Sequence, residues 1–305
     1  MQSLFTGTTK MGGPGSLLAV IGRLAVLLLA GGALLIPALG QEKPNESKED
    51  AASYRQKGMA AVEAARHAEA LALFKQAVRL RPDYAEAYND LGMAYSNLEM
   101  HDEAVETLRR AVSLKPDLAQ AHYNLGSEYY RLERLELAAE SLEKAIRLKP
   151  DYALAFNNLG AVYLELGRID EAVRAYMQAV ALKPDWSLAH YNLALVYYRT
   201  GKHAKVIEHL KQALRWKPDY LEACNSLGVI YFRMKRYKEA HEVFRELVRL
   251  KPDYADAVYN LGVLNLVLRR RDEALEQYSA LKSLDRDLAK ALYGGLYQGM
   301  ILSVK

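Results

Sequence analysis

Apolar side chains recur every three or four positions over most of this chain, which predicts amphipathic helices. Residues 153–186 show the pattern most clearly, with large side chains such as Leu159 and Tyr163 and small ones such as Gly160 and Ala172. Small residues let two helix backbones approach closely, and the large ones fill the space around them. The stretch therefore predicts a pair of packed helices, A and B. No alternation of period two persists, so we expect no sheet.

The same unit returns every 34 residues. A proline within an Arg-Pro-Asp or Lys-Pro-Asp tripeptide marks the end of six copies: Pro82, Pro116, Pro150, Pro184, Pro218 and Pro252. A fixed period of this size indicates a stacked array of helix pairs. Proline cannot continue helix B, and Gly167 separates the two helices of its unit. Asp170 and Asp185 are expected to cap the helices that follow them.

These residues resemble a known repeat family. The copy at 85–118 carries the motif positions of the tetratricopeptide repeat: Tyr88, Leu91, Gly92, Tyr95, Ala104, Leu108 and Pro116. The resemblance implies seven repeats over residues 51–288, which build an all-α, right-handed superhelical solenoid of antiparallel helix pairs. We number each repeat from 1 to 34, beginning at Ala51. The copies depart from the motif at Lys57, Val206, Asn265 and Arg286.

Residues 1–40 do not share this pattern. An apolar run at 24–36 is followed by two small residues, Ala38 and Gly40, which is typical of a secretory signal peptide cut after Gly40. The alternative is an uncleaved membrane anchor, because residues 17–39 are long enough to span a bilayer. Either interpretation predicts an exported array, periplasmic or extracellular, which contacts a membrane only through this segment if it is uncleaved.

Two short segments flank the predicted repeats. Residues 41–50 are polar and lack periodicity, which indicates a flexible linker. Residues 289–305 predict a capping helix, because the last repeat of an array needs its apolar face covered. This helix is unusually apolar, with Leu292 and Leu296 among others. We therefore hypothesise that it also docks on a partner or on a second copy of the chain.

Charge and reactive side chains limit the possible functions. The chain has 41 basic and 37 acidic side chains, a balance that argues against a nucleic acid held by bulk charge. The single cysteine, Cys224, is interpreted as a buried apolar residue. Neither the seven histidines nor the glycines form a metal-binding or phosphate-binding motif. We expect no catalytic residue, metal site or cofactor, and we therefore expect that the protein is not an enzyme.

A row of amides is predicted along the inner side of the A helices. Asparagine is a poor helix former, so its recurrence at position 6 is informative. The four amides are Asn124, Asn158, Asn192 and Asn260. An amide can both donate to and accept from an extended peptide backbone. The row is similar to the asparagines that hold substrate peptides in the repeats of O-linked N-acetylglucosamine transferases. The alternative is that these amides help adjacent repeats to stack.

Aromatic and arginine pairs at positions 12 and 13 add candidate selectivity to this groove. They are Tyr130 with Arg131, Tyr198 with Arg199, and Phe232 with Arg233. Arginine can pair with a carboxylate while the ring covers an apolar side chain, which favours an acidic or aromatic ligand. The alternative is that the arginines are solvated and the rings pack on neighbouring helices.

Taken together, these features predict a non-catalytic, exported scaffold that binds an extended peptide or protein segment in its concave groove. Because a surface of this kind is preformed, the ligand is the only partner that loses conformational entropy on binding. Two alternatives remain open. The chain could be a structural subunit of a cell-envelope assembly that acts through its convex face and C-terminal helix. It could also be a repeat subunit that supports a separate enzyme.

Overall fold

A computed structural model of the chain describes residues 50–302. The predicted signal or anchor segment and nearly all of the predicted linker lie outside the described residues. Within residues 50–302 every regular element is a helix, which confirms the all-α prediction. The array begins with α1 (Ala51–Glu63), whose first turn is capped because the Ser53 N–H donates to Asp50 Oδ1 at 2.8 Å. None of the described helices is both long and apolar enough to cross a bilayer.

Helices A and B alternate along the array, with 13 residues in α1, an A helix, and 14 in α2, a B helix. The later A helices are α3 (Ala85–Asn97), α5 (Ala119–Arg131), α7 (Ala153–Glu165), α9 (Ser187–Arg199), α11 (Leu221–Arg233) and α13 (Ala255–Val267). The B helices are α2 (His67–Leu80), α4 (His101–Leu114), α6 (Leu135–Leu148), α8 (Ile169–Leu182), α10 (His203–Trp216), α12 (Tyr237–Leu250) and α14 (Arg271–Leu284).

The packing of each pair follows from the small residues that the sequence places on facing sides. In the pair α5 and α6, a Cβ added to Gly126 would lie 2.7 Å from Leu142 Cγ and 3.1 Å from the Ala138 carbonyl oxygen. Glycine is therefore needed at this crossing, because any side chain would force the helices apart. Ala138 and Ala145 on α6 are completely buried, and large side chains such as Leu142 close the core around them.

From α1 to α9 the A helices lie closer to one another than the B helices do. Helix α1 contacts α3, α3 contacts α5, α5 contacts α7, and α7 contacts α9. Successive B helices have no contact of similar extent in the described array. The stack therefore bends toward its A helices, as in a superhelical solenoid, and these helices line its inner side. We call this inner surface of the A helices the groove face.

Every turn from an A helix to its B helix contains one residue in the left-handed backbone region. These residues all occupy position 15, with φ between 55° and 73°: Ala65, Glu99, Glu133, Gly167, Gly201, Lys235 and Arg269. The sequence indicated the turn only where glycine occupies it. Five copies form the same turn with a side chain present, because the helices on both sides determine its geometry.

The two predicted aspartate caps are wrong. The N-cap of α8 is Arg168 and that of α9 is Trp186, and neither cap makes a side-chain hydrogen bond. Asp170 lies inside the first turn of α8, where its charge offsets the helix dipole without capping. Asp185 lies two residues before Ser187, the first residue of α9, and Trp186 occupies the N-cap position between them.

Replacing Glu133 by glycine is expected to stabilise the protein by about 0.5–1 kcal/mol. A left-handed residue with a side chain costs about 1–2 kcal/mol, and part of this is offset by the larger unfolded-state entropy of glycine. The free energy of unfolding in urea, extrapolated to water, measures the change. The matched control is Gly167→Ala at the equivalent position, which should lose a similar amount. A loss of stability in Glu133→Gly would contradict this interpretation.

The C-terminal helix α15 (Arg286–Leu302) begins at Arg286 and not at Ala289 as predicted. The earlier start has a clear cause: Arg286 stands where the other copies have proline, and Asp285 Oδ1 accepts from the backbone N–H groups of Asp287 and Leu288 at 2.9 and 3.0 Å. Helix α15 packs on α13 and α14.

Candidate peptide-binding groove

The groove face carries exposed apolar side chains near its middle. Leu154 on α7 and Leu188 on α9 occupy position 2 of consecutive repeats, and they are 45% and 42% exposed. Large side chains of this kind are usually buried, so two at equivalent places form a candidate contact surface. Sequence reasoning missed them, although their signal is readable: position 2 is charged or polar in the flanking copies, at Gln120 and Glu222.

Asn124 is not available on this surface. Its side chain is only 2% exposed, and its amide nitrogen donates to Asn89 Oδ1 at 2.8 Å. Its own Oδ1 accepts from Gln120 Nε2 at 3.1 Å. Position 5 of one repeat thus meets position 6 of the next. This geometry supports the stacking interpretation for Asn124, because the hydrogen bond joins α3 to α5.

The other three amides follow this register to different degrees. Asn192 Nδ2 donates to Asn157 Oδ1 at 2.9 Å, and Asn158 Nδ2 lies 3.1 Å from Ser127 Oγ. Both residues are half-buried. Asn260 makes no side-chain hydrogen bond within the described residues. Its expected partner, Asn225 Oδ1, is buried and also without a hydrogen bond. Peptide binding by these amides stays a prediction.

The rings at position 12 pack on the protein itself, while the arginines at position 13 are exposed. The Phe232 ring meets Tyr237 edge to face at 5.5 Å, and the Arg233 guanidinium lies 5.5 Å from the centre of the Tyr198 ring. Tyr130 is half-buried, and burial raises its pKa. The rings are therefore less accessible than a ligand-covering role requires.

The three arginines differ in how they are held. Arg131 Nε lies 3.6 Å from Glu128 Oε1, and Arg199 makes no ion pair with the described residues. All three side chains reach solvent, Arg233 included. They lie at the C-terminal ends of α5, α9 and α11, whereas Leu154 and Leu188 lie at the N-terminal ends of α7 and α9. Position 13 of α7 is acidic, Glu165. An arginine fork of this kind matches the geometry of a carboxylate.

A buried polar cluster lies beside Arg131, between the second and third repeats. The side chain of Glu128 is 3% exposed, Ser96 Oγ donates to its Oε1 at 2.7 Å, and His101 Nδ1 lies 2.8 Å from its Oε2. The sequence carried a signal for this cluster, because position 10 is apolar in other copies, for example at Val162. The cluster joins two repeats and satisfies a buried carboxylate.

Other reactive side chains occupy structural positions. Cys224 is buried, and burial raises the pKa of its thiol to about 11, which keeps it protonated. Within residues 50–302 no group of three or more histidine, cysteine or acidic side chains is placed to hold a metal ion.

Two histidines form a pair between α9 and α10. His190 Nδ1 lies 3.2 Å from His209 Nδ1, and His190 Nε2 lies 3.0 Å from the Pro184 carbonyl oxygen. The His209 ring also stacks on Tyr197, with centres 5.5 Å apart. Burial and the neighbouring His190 lower the pKa of His209 below its ordinary value of 6.5.

This pair predicts a loss of stability in mild acid. Below about pH 6.5 the unfolded chain binds a proton at His209 that the folded chain does not yet accept, so the free energy of unfolding falls as the pH decreases. Urea unfolding at pH 7.5 and pH 5.5 measures the difference. The variant His209→Gln should show a smaller difference. An unchanged dependence in this variant would contradict the assignment to His209.

Family models match most of the described array. Tetratricopeptide repeat models match residues 61–126, 187–253 and 225–289, and a TPR repeat model matches residues 126–167 and 162–201. These matches and the tandem helices fit a tetratricopeptide repeat protein. No curated protein sequence matches the chain at a significant level.

Solved structures show the same fold. Pseudomonas aeruginosa pilF is 25% identical over 66% of this chain and 92% of its own, with a TM-score of 0.57. YrrB, described as a TPR protein with an unusual peptide-binding site, is 22% identical over 61% of this chain and 95% of its own, with a TM-score of 0.52. The Cut9–Hcn1 hetero-tetramer of the APC/C has a chain 20% identical over 72% of this chain and 44% of its own, with a TM-score of 0.59. The latter two are similar in fold alone.

Proposed function

We propose that the protein is a non-catalytic scaffold that binds an extended segment of another protein along its groove face. One observation carries this proposal: Leu154 and Leu188 are exposed at the same position of consecutive inner helices. Arginine occupies position 13 at the C-terminal ends of three inner helices, α5, α9 and α11, of which α9 also carries Leu188. A segment with apolar and acidic side chains would contact the leucines and these arginines. YrrB, which is described as having an unusual peptide-binding site, shares the fold.

The amides have a smaller part in this proposal than the sequence suggested. Asn158, Asn192 and Asn260 remain candidates for contacts with a ligand backbone, because their side chains are partly exposed. Asn124 contributes by holding two repeats together. A rigid inner surface reduces the conformational entropy that is lost on binding.

Site-specific cross-linking in cells tests the groove. A benzoylphenylalanine at Leu188 should capture one defined partner. The matched control is the same residue at Met177, an apolar side chain that is 47% exposed but lies on a B helix. The substitution Leu154→Lys should remove the adduct at Leu188, because it places a charge within the apolar surface. An adduct of equal strength at Met177 would contradict groove binding and favour the outer surface.

We also propose that the array is exported, because the apolar run at 24–36 and the small residues before position 41 are typical of a cleaved signal peptide. N-terminal sequencing of the mature protein should begin at Gln41. A chain that starts at Met1 and stays in the membrane fraction would support the anchor instead. Recovery of the intact chain in the cytosol would contradict both.

A further inference from the structure

The turns from A to B helices form one edge of the array, which we call the turn edge. One contact between consecutive turns and one between a turn and the preceding B helix, α12, show this arrangement. Arg134 Nη2 lies 3.0 Å from Asp102 Oδ1, and Arg270 Nη1 lies 3.3 Å from His241 Nε2. Residues separated by a whole repeat in the sequence thus lie side by side. Charges at positions 13 to 19 of every repeat therefore add up along one surface.

Charge on the turn edge changes sign along its length. The first four turns contain ten acidic residues and four basic ones. The acidic residues are Glu63, Glu69, Glu99, Asp102, Glu103, Glu133, Glu136, Glu165, Asp170 and Glu171, and the basic ones are Arg66, Arg131, Arg134 and Arg168. The last three turns have ten basic residues and three acidic ones. The basic residues are Arg199, Lys202, Lys205, Arg233, Lys235, Arg236, Lys238, Arg269, Arg270 and Arg271, and the acidic ones are Glu239, Asp272 and Glu273.

This segregation is hidden in the near-neutral charge of the whole chain. All ten basic side chains of the last three turns are exposed. Seven of them form no ion pair with the described residues: Arg199, Lys202, Lys205, Lys235, Lys238, Arg269 and Arg270. The acidic half contains three ion pairs, Arg66 with Glu69 and Arg168 with Glu171 at 2.9 Å and Arg134 with Asp102 at 3.0 Å. The basic half thus has an unbalanced positive field, which attracts anionic partners.

A shallow cavity lies within this basic half, between the sixth and seventh repeats. Its volume is about 220 Å³, and it is lined by Lys238, Glu239, His241, Glu242, Leu268 and Arg270. The glutamates are engaged by nearby arginines, since Arg236, the N-cap of α12, contacts Glu239 at 2.7 Å and Arg245 of α12 contacts Glu242. Lys238 and Arg270 therefore dominate the charge at the opening. The space suits one carboxylate-bearing side chain.

We propose that the basic half of the turn edge docks an acidic, extended segment of a partner protein, with one carboxylate in this cavity. Charge complementarity identifies the ligand as anionic, and the occupied rings argue for protein over single-stranded nucleic acid. Nucleic acid binding of that kind needs open aromatic faces for the bases. Here Tyr198 is covered by Arg233 and Phe232 by Tyr237.

This inference deepens the proposed function, since the position 13 arginines border both the groove face and the turn edge. The test therefore leaves those arginines unchanged. The reversal variant carries Lys202→Glu, Lys235→Glu, Lys238→Glu and Arg269→Glu in the full chain. The matched control reverses four exposed lysines at the opposite turns: Lys149→Glu, Lys183→Glu, Lys217→Glu and Lys251→Glu. Both variants change the net charge by the same amount, so a difference in binding between them cannot come from the net charge.

The probe is a fluorescent oligoglutamate peptide, with oligouridylate as the competing polyanion. The native chain should bind oligoglutamate more tightly than oligouridylate, with affinity that decreases as salt increases. The reversal variant should bind it about tenfold more weakly or worse, and the control within about threefold of the native chain. Circular dichroism monitors folding. If the reversal variant loses helicity, the four equivalent glutamine substitutions replace it and should still weaken binding.

Several results would overturn the proposal. Equal loss in both variants would show a bulk charge effect, and tighter binding of oligouridylate would show a nucleic acid site. No binding of oligoglutamate by the native chain at low salt would show that the edge is not a docking surface. A dimer at low salt that the reversal variant abolishes would identify a second copy as the occupant. None of these results alters the cross-linking expected at Leu188, so this inference and the groove proposal fail separately.

Discussion

Replacing Leu292 by alanine is expected to destabilise the C-terminal end of the array by about 2–5 kcal/mol, the usual cost of truncating a buried leucine. Leu292 is 1% exposed on α15, and it fills the space beside a glycine of α13. A Cβ added to Gly262 would lie 2.5 Å from Leu292 Cδ2, so the side chain contacts the backbone of the last A helix directly. A side chain at position 262 would therefore displace Leu292 or separate the two helices.

The loss of stability in Leu292→Ala should be local, because the stability of a repeat array is approximately the sum of the stabilities of its repeats and their interfaces. Amide hydrogen exchange should accelerate in α13, α14 and α15 and change little in α5. Tyr293→Ala is the matched control on the next residue. Tyr293 is 43% exposed, and its ring lies 5.4 Å from Tyr278, so its removal should cost no more than about 1.5 kcal/mol. Equal acceleration in both variants would contradict a specific role for Leu292.

The same control variant separates folding from docking at this end. We proposed from the sequence that the apolar C-terminal helix also contacts a partner or a second copy. Tyr293 is a large exposed side chain on α15, so it belongs to the surface that such a contact would use. If sedimentation shows a dimer of the native chain and a monomer of Tyr293→Ala, the helix associates with itself. A monomer in both cases would contradict self-association through this residue.

The fold was predictable because each helix pair is specified within one repeat. Gly126 and Ala138 share one unit, and their spacing alone indicates that two helices cross closely. The caps were not predictable in this way. Asp170 is a good cap by residue type, but the tight turn at Gly167 starts the helix before it. The backbone geometry of the turn therefore decides where the helix begins.

The candidate site was less predictable, because its contacts join residues of different repeats. Position 6 looks free when a single A helix is considered, yet Asn124 meets Asn89 of the preceding repeat. Asn265 shows the same limitation. In the sequence this residue only departs from the tyrosine of the motif. In the structure it is 1% exposed, its Oδ1 lies 3.0 Å from His241 Nε2, and its Nδ2 donates to Gln277 Oε1 at 2.7 Å. The pairing register between repeats has to be known before such partners can be assigned.

The contact of position 5 with position 6 of the next repeat predicts a second large loss of stability. Asn124→Ala is expected to lower the free energy of unfolding by about 1–3 kcal/mol, because Asn89 Oδ1 loses its donor in a buried place. The matched control is Asn260→Ala at the same position of a later repeat. Asn260 makes no side-chain hydrogen bond within the described residues, so its removal should change stability by no more than about 0.5 kcal/mol. Urea unfolding followed by circular dichroism measures both.

A double-mutant cycle assigns the effect to the hydrogen bond itself. If Asn124 and Asn89 stabilise the array through their mutual contact, the variant with both alanines should lose less than the sum of the two single variants. Strict additivity would contradict the stacking role. A third result would restore the original interpretation: Asn124→Ala keeps full stability but loses the partner adduct at Leu188. The amide would then act on the ligand, and the hydrogen bond to Asn89 would have to open when the ligand binds.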